Sequence, residues 1–117
     1  MATHPGAGRE LIDELIATRR DAQRLLISLR FQGRDKEADK VEEKTRELTE
    51  QIDALLTGTI VSWEGQAERL TERLAHINRA LASDVARIRK RAANEQSIAN
   101  ALGHLEEAVS LLRFRKR

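Results

Sequence analysis

The run Trp63, Ala67, Leu70, Leu74, Ile77, Leu81 sets an apolar residue at alternating steps of four and three. Only an α-helix keeps such positions on one side, because side chains on a strand change face at every residue. That face must be covered by other apolar side chains. The question this chain poses is where the cover comes from.

Two earlier segments repeat the pattern. Leu11, Leu15, Ala22, Leu25 and Leu29 mark a first helix over about 9 to 31, with Ile12, Ile16 and Leu26 widening its stripe. It stops at FQGRD, where Gly33 suits the left-handed position after a helix and Asp35 can cap the next one. A second helix carries Ala38, Val41, Thr45, Leu48, Ile52 and Leu55. The short link predicts an antiparallel hairpin of the two. In LLTGTIVSW, Gly58 ends helix 2, and Thr59 or Ser62 starts the helix that carries the Trp63 seam.

Beyond Leu81 the pattern divides. A strict heptad puts Asp84, Ile88, Arg91, Glu95, Ile98, Leu102, Leu105, Val109 and Leu112 on the seam. A second path through Val85, Ile88, Ala92, Glu95 and Ala99 rotates Asp84 and Arg91 to the flank. Two structures follow. A third helix that breaks near Asn94 uses Asn94 as the cap of a fourth helix, with Glu95 in its first turn. A third helix that runs on to Leu112 makes Glu95 a polar residue fixing register against a partner. Neither Pro nor Gly forces a break between 92 and 95. A continuous helix would be about 80 Å long against about 35 Å for each hairpin arm, and would leave its seam exposed in a single chain.

Composition agrees with an all-α protein of the bundle or coiled-coil type: 34% of the 117 residues are charged and only 3% aromatic. The chain reads as one helical domain over 9–113, an antiparallel hairpin packed on a long third helix, with a flexible leader at 1–8 and a basic tail at 114–117. No apolar run approaches the roughly 20 residues of a membrane span, and the start lacks the pattern of a secretory signal. No membrane partner and a cytoplasmic location are therefore expected. Cysteine is absent, which removes disulfides, thiolate metal sites and thiol nucleophiles.

The net charge of +2 hides an uneven distribution. From Asp35 to Asp53, eight acids face four bases; from Asp84 to the end, eight bases face four acids. These charges read as solvated helix faces. A sharper alternative pairs the acidic second helix with the basic C-terminal part of the same or another chain.

Chemistry-bearing motifs are sparse. Glu72 with His76, and His104 with Glu107, have the spacing of paired metal ligands on one helical face, but both histidines fall beside the seam among polar residues. Nucleophile elbows, phosphate-cradling loops and dinucleotide fingerprints are missing. No catalytic residue, metal or cofactor is expected. Gly65 and Gly103 inside predicted helices each cost about 1 kcal/mol relative to Ala, and mark candidate close approaches.

These readings predict a non-catalytic interaction or assembly protein, adaptor or chaperone-like. It would self-associate, as a dimer, through Trp63, Leu70, Leu74, Ile77, Leu81, Ile88, Leu102, Leu105 and Val109. It would also bind a protein partner. The alternative is a nucleic-acid-binding accessory protein whose phosphate contacts come from Arg87, Arg89, Lys90 and Arg91 and from Arg113, Arg115, Lys116 and Arg117 around Phe114.

Overall fold

The structure, a computed structural model, describes residues 7–57, 67–90 and 94–111. Their regular structure is entirely helical: α1 (Ala7–Phe31), α2 (Asp35–Thr57), α3 (Ala67–Lys90) and α4 (Glu95–Ser110). Trp63, Arg91, Arg113, Arg115, Lys116 and Arg117 lie outside the described residues, as do Gly58, Gly65, most of the expected leader and the tail.

The first turn forms as its glycine predicts. Gly33 sits at φ +77°, the Arg34 amide reaches the Leu29 carbonyl at 2.8 Å, and the Gly33 amide reaches that of Arg30 at 3.1 Å. These are the two bonds of a Schellman ending. The expected cap at Asp35 is displaced by one residue. The Arg34 carbonyl accepts from the Ala38 amide at 2.9 Å, so Asp35 is the first helical residue and its carboxylate lies 3.8 Å from Arg30.

The second turn overturns the continuous third helix. α3 stops at Lys90, α4 starts at Glu95, and α4 runs back along α3, with Asp84 bonded to His104 and Arg73 paired with Glu107. Asn94 has extended backbone; its side chain accepts from the Ser97 amide at 2.8 Å while the Ser97 hydroxyl faces the Asn94 amide, a reciprocal capping box. Burial supplies the reason for the return. Ile98, Ala101, Leu105, Ala108 and Val109 are all buried by it, at roughly 1.5–3 kcal/mol for each large side chain, whereas an extended helix would carry them past the hairpin.

Cross-helix bonds fix the packing. Thr18 meets Asn78 and Gln32 meets Ile88, so α1 and α3 run parallel. Arg34 meets Glu95, Lys44 meets Glu106 and Gln51 meets Val109, so α2 and α4 also run parallel. The hairpin thus packs on a second hairpin, not on a lone third helix. Among the described residues, no helix is long and apolar enough to cross a membrane.

Candidate functional site

The expected self-association rests on the seam residues. Leu70, Leu74, Ile77, Leu81, Ile88, Leu105 and Val109 are buried within one chain, and Leu102 packs partly buried against the same core. The seam is therefore the interior of the bundle. Its expected exposure, and with it the argument for a shared seam, disappears once α4 returns.

Glu95 moves furthest from its expected register role. Both apolar paths kept it on the seam, yet its side chain is 86% exposed, in the first turn of α4, and pairs with Arg34 at 3.1 Å. Asp84, which the strict heptad kept on the seam and the second path moved to the flank, takes the inner position. Asp84 is buried beside Val85, and its Oδ2 lies 2.9 Å from Nδ1 of half-buried His104. The return of α4 along α3 brings those two residues together from different helices. Arg87 stands 3.9 Å from the same carboxylate.

Polar side chains also line the α1/α3 contact. The Thr18 hydroxyl donates to Asn78 Oδ1 at 2.5 Å, and the Asn78 amide donates to the Glu14 carbonyl at 3.0 Å and its carboxylate at 2.8 Å. Higher up, the Gln32 amide donates to the Ile88 carbonyl at 3.1 Å. Between α2 and α4, buried Gln51 donates to the Val109 carbonyl at 2.8 Å. That carbonyl is in the last turn of α4, so a neighbouring helix binds a group at the helix end.

Among the described residues, the charge pairs are not those of the alternative that joins helix 2 to the C-terminal bases. α2 acids at 35, 39 and 42 converge on Arg30 of α1, and the Asp39 hydrogen bond in particular pushes the Arg30 pKa up. Across α2/α4 the bases belong to the α2 side, Arg34 and Lys44, and the acids to α4, Glu95 and Glu106. That is the reverse of an acidic helix 2 meeting a basic C-terminal segment.

The histidine pairs do not assemble a metal centre. Glu72, Arg73, His76, Ile77 and Glu107 line a shallow groove of about 320 Å³, but Arg73 points its charge at Glu107. Among the described residues no group of three His, Asp or Glu side chains could hold a metal ion. Gly103 does not mark a close approach either, since a Cβ there would meet nothing within 4 Å.

Two features remain on the outside. Ile27 and Phe31, one turn apart on α1, are 69% and 91% exposed. They point away from the stripe of Leu25 and Leu29, each lying two residues, about 200°, further round the helix. Beside them, the α1/α3 surface carries exposed Arg20 and Arg24 from α1 and exposed Arg79, Arg89 and Lys90 from α3. Asp21 is the acid among them. Its burial pushes its pKa up against the opposing pull of Arg24 and Arg20.

Of the expected phosphate contacts, Arg87, Arg89 and Lys90 are exposed in the last turn of α3. Arg20, Arg24, Arg79 and Phe31 share a side of the bundle with Arg89 and Lys90 because α1 lies parallel to α3. A linear reading could find its signal only in the residues opposite the α1 stripe. No family model matches the chain, and no curated protein or solved structure matches it either.

Proposed function

We propose that this chain is a non-catalytic helical interaction protein, a bundle that closes its own core and offers the outward side of α1 to a macromolecular partner. The observation that carries the reading is the exposed pair Ile27 and Phe31 on a helix whose inward leucines, Leu11, Leu15, Leu25 and Leu29, are fully buried. Large apolar side chains held together at a surface gain from being covered, and aromatic residues are enriched where protein surfaces meet. Self-association belongs to the same proposal, carried by these outward residues and by exposed Leu56 rather than by the seam.

The test is photocrosslinking in cells. A photoreactive phenylalanine analogue replaces Phe31 in one variant and Glu43, exposed on α2, in a reference variant. The expected result is a discrete heavier adduct from position 31 and none from position 43. Equal labelling from both positions, or none from either, would sink the reading. A second copy as partner would give an adduct of twice the 13.3 kDa chain mass.

A further inference from the structure

We infer that the outward face shared by α1 and α3, from Arg20 and Arg79 up to Phe31, Arg89 and Lys90, binds single-stranded nucleic acid. This rests on the reading of α1 as a partner-binding helix and names the partner's chemistry. The Thr18–Asn78 and Gln32–Ile88 bonds set α1 and α3 side by side and parallel. That register brings Arg20 level with Arg79 near the middle of the bundle, and Phe31 level with Arg89 and Lys90 at its end. Arg24 stands between them. All five bases are exposed.

The negative charge on this part of the face is Asp21, whose side chain is only 14% exposed and lies 3.6 Å from Arg24. The other exposed acids, Glu10 and Asp13 of α1 and Glu68 and Glu72 of α3, are near the opposite end of the face. Between the basic residues the α3 surface is small, with Ala82, Ser83 and Ala86 exposed, so long arginine side chains reach a ligand without obstruction. From Arg20 to Phe31 the helix rises about 16 Å, the length of roughly five phosphates at duplex spacing and fewer in an extended strand.

Phosphates would sit on the arginines, and a base would stack on Phe31. An aromatic side chain 91% exposed beside two bases is the element that a phosphate-only surface lacks. The same charges could attract an anionic membrane, but insertion there needs a broad apolar face. Ile27 and Phe31 are the large apolar side chains on this side, and the α3 part is alanine and serine.

The test is fluorescence anisotropy with a labelled oligothymidylate of about 16 nucleotides, titrated across salt concentration. Wild type is expected to bind with an affinity that falls steadily as salt rises. Arg24→Glu with Arg79→Glu should weaken binding at least tenfold and flatten the salt slope by about 0.7 for each phosphate no longer neutralised. Phe31→Ala should weaken single-strand binding roughly 5- to 100-fold while changing duplex binding far less. Lys36→Glu with Lys40→Glu, both exposed on α2 off the side whose Asp39 and Glu42 reach α1, changes the charge by the same amount and should stay within about twofold of wild type. Helical circular dichroism checks that each variant is folded.

No salt-dependent binding by wild type at low ionic strength would overturn the inference, and so would a loss from the Lys36/Lys40 reference equal to that from the paired arginine variant. Loss in the arginine variants with none in Phe31→Ala would overturn the single-strand assignment. Binding to phosphatidylserine vesicles without binding to the oligonucleotide would replace it with a membrane. A position-31 crosslink to a protein, in a chain that ignores the oligonucleotide, would overturn this inference and leave the interaction-protein reading standing.

Discussion

The chain reverses after α1 and again after α3 at one end of the bundle, and the two reversals rest on different physics. At residues 32–34 the backbone enforces the stop: Gly33 takes a positive φ that a β-carbon disfavours, and two Schellman bonds close the end of α1. Between Lys90 and Asn94 no glycine or proline intervenes. There, the capping box of Asn94 and Ser97 prepares a helix start, and the burial of the α4 side chains makes that start worth using. The first turn is a local instruction, and the second is a local permission taken up by the core.

If that contrast is right, the core should matter more to the second turn than its cap does. Leu105→Ala, at a fully buried position, should cost about 2–5 kcal/mol. Hydrogen exchange should then show α4 amides losing protection before those of α1 and α2; simultaneous loss throughout would break the distinction. Gly33→Ala should cost about 1–2 kcal/mol, all of it from the backbone, because a Cβ at Gly33 would meet nothing within 4 Å. Gly33→Asn should recover part of that in the same denaturant titration; failure to do so would mean that the positive φ is not the source of the cost.

Asn94→Ala should cost about 1 kcal/mol and leave α4 docked, since the cap is one contribution beside several buried side chains. Collapse of the fold on this change would make the second turn as locally dictated as the first. The smallest effect belongs to Glu95→Ala. An ion pair whose acid is 86% exposed contributes at most about 1 kcal/mol, and thermal melts in high salt should erase the difference from wild type. A larger, salt-insensitive loss would return Glu95 to the interior role that its heptad position suggested.

The same contrast explains how far the chain could be read. Leu11, Leu15, Leu25 and Leu29 announce the buried side of α1 by spacing, and the outward places of Ile27 and Phe31 follow from it. Asp84 illustrates the opposite case. Spacing left it either on the seam or rotated to the flank, and the choice fell inward because His104, 20 residues later and on another helix, supplies its hydrogen bond. Gln51 likewise resembles an ordinary polar residue until the last turn of α4 lies against it. The candidate site divides in the same way. Arg87, Arg89 and Lys90 form a visible basic run, whereas the grouping of Arg89 and Lys90 with Arg24 and Phe31 requires the parallel packing of α1 on α3.

Helical class, the first hairpin and the identity of most core positions were determined by the sequence itself, because periodicity and glycine conformation act within a few residues of chain. The tertiary structure decided that α4 turns back, that the heptad seam is an interior, and which charges share a face. Each of those depends on residues brought together from separate helices. Their free energy comes from surface removed from water and from bonds that no single segment can make alone.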